Sequence, residues 1–445
     1  MKKHSPKAKG RPFRQMPEVR EKFTGRQPQT KYGGAGLWRR FLKSLGVPKL
    51  LQQVRVPWDG RLYEAGDYLL AMLAGLLLGK QRQCAVADLR QDPGALLALG
   101  LEDVPSQSAL SRFLDACTFM VAGRLLRLNR QLVRRMRQGQ RSATIDLDGQ
   151  VVVTRGNPEG ADFGYCPKRR GAKSYYVLMG FLGGVRDILD AMLLPGSAST
   201  VSAQMAIRVY RRCRNALGSQ VKRVRLRADA AFFSNAFLSQ LEHDGVTYCV
   251  PLRLNGGLKA KLPGVSYQQL NGRWAVAEFL YEGADAPPRR CVVIRERLEP
   301  QGQRASQLNL FQYDGYAFQA IVTNATWVPQ SVWHFYNDRS CLENIIKESQ
   351  YDFGSNHVLC HSLAGNRTWL ALTVLAYNIT NWFREKILNQ QAHRQTAATL
   401  RQRLIEIPAT LIYSARQYTL KIWREHPSRK SFERAMTAVQ AGSPQ

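Results

Sequence analysis

Apolar side chains recur at helical spacing through the first third of the chain. Positions three to four residues apart are apolar in two long stretches: Leu69, Leu70, Leu73, Leu76 and Leu77, then Leu125, Leu128, Leu132 and Met136. A repeat of about 3.6 residues marks the buried face of a helix. The pattern therefore predicts a helical region over residues 36–141.

From residue 143 the pattern changes to short apolar runs that are rich in β-branched residues. It predicts strands at 143–148, 174–181, 187–194, 221–228 and 247–251, with 151–154 either extending the first strand or following it after a turn. Helices are predicted at 201–217 and 233–243. Three early strands followed by alternating helices and strands indicate an α/β fold, a mixed sheet flanked by helices.

Residues 255–315 interrupt this alternation. Three β-like runs, 274–281, 291–295 and 308–312, are separated by Gly, Pro and Asp turns, which predicts an inserted β-rich subdomain. A strand at 316–323 then resumes the sheet, and helices are predicted at 331–349 and 368–388. The α/β region is thus divided into 142–254 and 316–390. A basic region at 391–445, which we expect to be helical, completes the chain.

The charge of the chain indicates its partner. Lys and Arg number 64 against 33 Asp and Glu, a net charge of +31. A surplus of this size favours a polyanionic partner, and nucleic acid fits better than an acidic membrane. The longest apolar run, 69–78, is shorter than the roughly 20 residues that a membrane helix needs, and the N-terminus shows no apolar signal region. We expect a cytoplasmic protein associated with the nucleoid.

Residues 1–35 hold ten basic and two acidic residues without periodicity. They are predicted to be a flexible basic arm that orders on DNA, the alternative being a solvated tail. The eight cysteines form no C-x-x-C pair, which favours reduced thiols over a disulfide framework or a zinc ribbon.

Two helices of the N-terminal region carry candidate DNA-binding side chains. A short capped helix after Pro105 resembles the second helix of a helix-turn-helix and presents Ser106, Gln107, Ser111 and Arg112. The helix that follows carries arginines behind its apolar stripe, among them Arg127 and Arg134. We favour a phosphate-facing surface for these arginines over a merely solvated one.

Four acidic residues lie where the surrounding pattern makes an acid unfavourable. Asp146 and Asp148 interrupt an apolar strand and share one of its faces. Asp229 ends the strand 221–228 at its carboxyl edge, where α/β sheets usually bind ligands. Glu343 lies on the predicted helix 331–349. Each acid alone could be a cap or an ion-pair partner. Together they have the oxygen ligands that Mg²⁺ requires.

The helix around Glu343 carries the strongest local signal. Tyr336, Arg339 and Glu343 follow one another at steps of three and four residues, and Lys347 lies one turn further on. All four therefore share one helical face. Arginine beside a metal-binding carboxylate is suited to holding phosphate, whereas the alternative is an Arg339–Glu343 surface pair.

Together these residues resemble the bacterial insertion-sequence transposases of the DDE type that carry a Y-R-E-K signature. Tyr336, Arg339 and Glu343 match the signature, Asp148-Gly149 resembles the first catalytic aspartate and Asp229 the second, with Asp146 as the alternative first acid. Gln350 occupies the position of the signature's lysine, for which Lys347 is a candidate substitute. The resemblance implies a ribonuclease H-like catalytic domain behind a helical DNA-binding domain.

The resemblance also implies the reaction. Asp148, Asp229 and Glu343 would hold two Mg²⁺ or Mn²⁺ ions, and the enzyme would cleave the ends of an insertion sequence and join the 3′-OH ends to target DNA. Tyr336, Arg339 and Lys347 would contact that double-stranded DNA, and action on paired ends implies a homodimer. The alternatives are a stand-alone metal-dependent nuclease and a transposase-derived DNA-binding protein without strand transfer.

Overall fold

The computed structural model describes residues 26–60, 62–164, 166, 169–199, 201–252, 254–282, 287–298, 311–388 and 395–441. After a two-residue strand, β1 (Gln29–Thr30), seven helices occupy the N-terminal region: α1 (Gly36–Ser44), α2 (Val47–Gln52), α3 (Ala65–Leu77), α4 (Gln83–Ala87), α5 (Pro93–Leu99), α6 (Gln107–Ala116) and α7 (Phe119–Met136). The predicted helical region is confirmed. Helix α3 is apolar on all sides, and it is accordingly buried along most of its length.

A mixed sheet follows the helical region. Its first strands are β2 (Ser142–Val153), β3 (Asp162–Phe163), β4 (Lys173–Leu182), β5 (Asp187–Pro195), β6 (Arg223–Ala228) and β7 (Thr247–Pro251), with helices α8 (Ala203–Leu217) and α9 (Asn235–His243) in the crossovers. The strand β2 runs without a break through both of the predicted segments. It pairs antiparallel with β4 and parallel with β6, and β6 pairs parallel with β7. The predicted α/β fold is confirmed.

The β-rich insertion extends this same sheet. It comprises α10 (Gly256–Lys261), β8 (Gln268–Gln269), β9 (Trp274–Tyr281), β10 (Arg289–Arg297) and β11 (Phe311–Tyr313), and β12 (Tyr316–Thr323) joins it to β7. The strand order is β3-β4-β2-β6-β7-β12-β10-β9-β8, with β5 paired to β4 and β11 to β12. The insertion is therefore an extension of the sheet edge and has no separate sheet among the described residues. Residues 308–310 of the predicted strand 308–312 lie outside the described residues.

Two helical segments replace the single helix predicted over 331–349. Helix α11 (Pro329–Asn337) ends in a 3₁₀ turn, Asp338–Cys341, and α12 (Leu342–Phe353) follows. Helix α13 (Leu363–Ile387) is almost entirely buried and packs against α7, α3 and β5. The N-terminal helices and the sheet therefore share one hydrophobic core around α13. Among the described residues, no helix is both long and apolar enough to cross a membrane.

The C-terminal region differs from the prediction. Besides α14 (Ala397–Leu400) and α15 (Arg429–Ala441), it forms a hairpin of β13 (Ala409–Ser414) and β14 (Gln417–Ile422). Strand β1 pairs with β13, and Thr30 and Tyr32 are buried. Residues 29–35 are therefore ordered, contrary to the flexible arm predicted for 1–35, and residues 1–25 lie outside the described residues. The expectation of a purely helical region over 391–445 was wrong because short, half-exposed strands leave little apolar periodicity.

Candidate active site

The first aspartate of β2, Asp146, is committed to a buried ion pair. It is fully buried and accepts two hydrogen bonds from Arg227 of β6, from Nε at 2.6 Å and from Nη2 at 2.8 Å. Arg227 also donates from Nη1 to the Phe335 carbonyl at 2.6 Å, and its guanidinium lies 4.9 Å from the Phe335 ring centre. Both carboxylate oxygens of Asp146 accept from Arg227, and the Asp146–Arg227 pair ties β2 to β6 and to α11.

Asp148 and Asp229 lie side by side on the same face of the sheet. The parallel register pairs Asp146 with Arg227 and Leu147 with Ala228, so one further step places Asp148 beside Asp229. The side chain of Asp148 is only 17% exposed. Burial raises the pKa of the Asp148 carboxyl, the Arg339 guanidinium lowers it, and the charge of Asp229 raises it again.

Each of these two carboxylates has one oxygen without a hydrogen-bond donor among the described residues. Oδ1 of Asp148 accepts from the Gly149 amide at 2.8 Å, and Oδ1 of Asp229 accepts from the Ala231 amide at 2.8 Å. Neither Oδ2 has a hydrogen-bond donor within the part of the chain that the structure describes. Gly149 is also required by packing, since a Cβ there would collide with the Tyr176 hydroxyl. Two neighbouring carboxylates with free oxygens fit the donor set of a hard divalent cation.

Arg339 lies over Asp148. It belongs to the 3₁₀ turn before α12, and its Nη2 is 3.0 Å from Oδ1 of Asp148 and donates to the Leu147 carbonyl at 3.2 Å. Its side chain is 15% exposed, and the buried Nε has no hydrogen-bond partner among the described residues. Tyr336 is buried beside it; burial raises the pKa of the Tyr336 hydroxyl, and Arg339 lowers it. Four predicted site residues, Tyr336, Arg339, Asp148 and Asp229, are thus brought together.

Glu343 is not part of this cluster. Its side chain is 74% exposed at the start of α12, and Lys347 Nζ lies 3.5 Å from its Oε2. The surface pair predicted as an alternative for Glu343 therefore exists, but with Lys347 in place of Arg339. Among the described residues, no three His, Cys, Asp or Glu side chains come close enough to hold a metal ion. Two of the three proposed acids therefore converge, and the third lies on the adjoining helix.

Two glutamines connect α12 to β2 beyond the acids. Gln350, at the position of the signature's lysine, donates from Nε2 to Oε1 of Gln150, and the buried Nε2 of Gln150 has no partner in the described part of the chain. Gln150 is two residues from Asp148, and Gln350 is seven residues from Glu343, so each shares a face with its acid. Sequence spacing did not predict the contact of Gln150 with Gln350 or the pairing of Arg227 with Asp146, because these contacts join strands and helices that are far apart in the chain.

The predicted DNA-binding side chains of the N-terminal region have different surroundings. Gln107 and Arg112 are exposed on α6, Ser111 is half-buried, and Ser106 caps the helix by accepting from the Ala109 amide at 3.3 Å. On α7, Arg127 is exposed, whereas Arg134 donates to the Asn215 carbonyl.

Two other arginines, Arg130 of α7 and Arg137 at its C-terminal cap, form ion pairs within the protein. Arg130 pairs with the buried Asp190 at 2.6 Å, and Arg137 pairs with the buried Asp187 at 2.7 Å. The favoured interpretation of α7 as an arginine surface facing phosphates therefore does not hold for Arg130 and Arg137, because two buried carboxylates of β5 occupy them.

Comparison with known proteins gives the family. The family model described as Transposase DDE domain group 1 matches residues 12–444. Among solved structures, a piggyBac transposase synaptic complex with hairpin DNA is similar at 10% identity and a TM-score of 0.47, over 85% of this chain and 82% of that chain. A Mos1 transposase paired-end complex is similar at 15% identity and a TM-score of 0.19, over 44% of this chain and 62% of that chain. The Mos1 strand transfer complex is similar at 17% identity and a TM-score of 0.18, over 44% of this chain and 60% of that chain. No curated protein matches the sequence.

Proposed function

The chain belongs to the family of transposases with a DDE domain, group 1, and is a DNA transposase; from this premise we propose that Asp148, Asp229 and Glu343 are its catalytic acids. The observation that carries the proposal is that Asp148 of β2 and Asp229, just after β6, are neighbours whose Oδ2 atoms have no hydrogen-bond donor among the described residues. We do not propose Asp146 for this role, because both of its oxygens accept hydrogen bonds from Arg227.

Members of this class use divalent metal ions, and we propose Mg²⁺ or Mn²⁺, as two ions, for this chain. Oxygen donors of this kind suit both metals. When bound, such ions activate the attacking oxygen and stabilise the leaving oxygen of an in-line displacement. Asp148 and Asp229 would hold them from the sheet, and Glu343 would complete the donor set from α12.

The remaining residues of the site would position DNA. The Nε of Arg339 has no hydrogen-bond partner in the described part of the chain, and a planar guanidinium can donate two parallel hydrogen bonds to a phosphate. Tyr336 packs beside Arg339 and holds it toward the acids. Lys347, 60% exposed, would contact the backbone of the same strand, and Gln150 and Gln350 offer uncharged hydrogen-bonding groups next to the acids. The scissile phosphate would thus lie between the carboxylates and Arg339.

The rest of the DNA would follow the basic surface of the protein. Exposed Gln107, Arg112 and Arg127 of α6 and α7 are proposed contacts to the element ends, as are Ser106, Ser111 and Arg134. Joining an element to a target requires both of its ends, so a homodimer with one active site per end is proposed. A nucleoid-associated location follows from binding to chromosomal DNA.

Asp229→Asn tests this function directly. The variant keeps the size of the side chain and removes a ligand charge, so it should bind element-end DNA with unchanged affinity in a gel-shift assay and lose cleavage and strand transfer in Mg²⁺. A stand-alone nuclease would cleave without joining. A transposase-derived binding protein would do neither, even as wild type. An Asp229→Asn variant that cuts at the wild-type rate would overturn the assignment of the acids.

A further inference from the structure

A groove lies far along the chain from the catalytic acids, between α1, the β13–β14 hairpin and α15. Its volume is about 660 Å³, and we call it the C-terminal groove. The floor is apolar and is formed by Leu411, Leu420, Ile422, Phe432 and Met436. A volume of this size is within the range of about 300–1,000 Å³ that holds small organic ligands. The groove therefore has room for a nucleobase.

One wall of the groove is cationic. Arg39, Arg40 and Lys43 of α1 line it, and all three side chains are exposed. Arg39 donates to the Leu97 carbonyl at 3.4 Å and Arg40 to the Gly36 carbonyl at 3.1 Å, and none of the three pairs with a carboxylate of the described residues. None of the described residues that line the groove is acidic. Three uncompensated cations beside an apolar floor favour a ligand that is both anionic and apolar.

Tyr418 also lines the groove, and Tyr413 of the same hairpin lies next to it. Tyr413 and Tyr418 face each other across the hairpin with ring centres 4.6 Å apart, and they are 61% and 57% exposed. The turn between them places Ala415 and Arg416 at φ of 51° and 61°, a left-handed conformation that places Arg416 at the hairpin tip. Large aromatic rings exposed in this way are stacking surfaces for planar ligands.

We propose that the C-terminal groove binds unpaired DNA, with bases on the Tyr413–Tyr418 rings and the apolar floor and phosphates on Arg39, Arg40 and Lys43. Cationic grooves with aromatic platforms are the general means of binding single strands. Duplex DNA offers only base edges and phosphates at its surface, so it would leave the apolar floor uncovered. A second protein chain would cover the floor but would leave the three cations without partners unless it carried acids.

Binding of a fluorescent 15-nucleotide oligothymidylate, measured by anisotropy at about 200 mM salt, tests the proposal. Tyr418→Ala should raise the Kd at least fivefold, because stacking of one base contributes about 1–3 kcal/mol. Tyr418→Phe should bind like wild type. Replacing Arg39 and Lys43 together by Gln should reduce the slope of log K against log salt by about 1.4, since each phosphate contact on a single strand contributes about 0.7.

The matched control is Tyr313→Ala on β11, because this tyrosine is 55% exposed and lies on the other sheet from the β13–β14 hairpin. It should leave the Kd unchanged. An oligonucleotide with 5-iododeoxyuridine should also crosslink to Tyr413 or Tyr418 on irradiation. Unchanged oligothymidylate affinity in Tyr418→Ala would overturn the proposal. If sedimentation then showed that this variant had lost self-association, the groove would be a subunit interface. Asp229→Asn should bind the oligonucleotide normally, so failure of the catalytic assignment is measured separately.

Discussion

The two aspartates of β2 should respond differently to substitution by asparagine: one substitution should reduce stability, and the other should abolish activity. Asp146→Asn should destabilise the fold, because Asp146 is fully buried and neutralises Arg227, whose side chain is 5% exposed. Asp148→Asn should leave the fold close to wild type, because it removes a carboxylate whose charged form burial and Asp229 already disfavour. Cleavage should be lost in Asp148→Asn, and it should fall in Asp146→Asn only in proportion to the unfolded fraction.

The magnitude follows from the geometry of the pair. Breaking a buried ion pair by removing one charge costs about 3–5 kcal/mol, and Asn keeps one acceptor for Arg227, so we expect about 3 kcal/mol. At roughly 2–4 °C for each kcal/mol in a domain of 150–250 residues, the melting temperature should fall by about 6–12 °C. For Asp148→Asn the loss of the Arg339 pair is offset by relief of the burial and repulsion that raise the pKa of Asp148, so we expect a smaller change than for Asp146→Asn.

Thermal melting and cleavage of a labelled element end, measured on the same preparations, check both effects. Replacing the pair together, by Asp146→Leu with Arg227→Met, provides the control. It should recover most of the stability, since apolar residues of similar volume often match a buried ion pair. If Asp146→Asn melted like wild type and failed to cleave while Asp148→Asn cleaved normally, Asp146 would be the first catalytic acid and the reasoning from hydrogen bonds would be wrong.

Three further predictions concern the other parts of the site. Glu343→Gln should melt like wild type, because the Glu343 side chain is exposed, and it should lose cleavage activity. If the variant still cleaved DNA, the two aspartates would suffice for catalysis. Arg339→Ala should lower the rate of cleavage of a pre-bound end at least tenfold, about 1.4 kcal/mol in transition-state stabilisation, and Arg339→Lys should restore it only in part; an unaffected rate would limit Arg339 to its pair with Asp148. Deleting residues 1–25 should flatten the salt dependence of duplex binding, measured between 50 and 200 mM salt, and an unchanged slope would indicate a solvated tail.

The strands were predictable because their periodicity is local. Runs such as 247–251, 274–281 and 316–323 coincide with β7, β9 and β12, since buried strands need β-branched and aromatic residues and end at Gly, Pro or Asp turns. The break between α11 and α12 was not predictable in this way. A 3₁₀ turn accepts the same residues as a helix, and only its packing over β2 places Arg339 at Asp148.

The candidate site was partly predictable from the sequence. The motif brought attention to Asp148, Asp229, Tyr336 and Arg339, which do lie together. Sequence spacing could not separate Asp146 from Asp148, because both share a strand face and only the side chain from the neighbouring strand, Arg227, distinguishes them. Arg130 and Arg137 were misjudged for the same reason. Their partners on β5 are about 50 to 60 residues away in the chain.

The pairing of β1 with β13 has a consequence for how the protein folds during synthesis. Gln29 and Thr30 find their strand partners at Thr410 and Ala409, about 380 positions later. An N-terminal region normally begins to fold while the rest is still being translated. Here that strand pair cannot form until the ribosome has released nearly the whole chain, and contacts this distant in sequence slow folding. A nascent chain arrested before residue 409 should therefore leave residues 29–35 sensitive to protease, and completion of the hairpin should protect them.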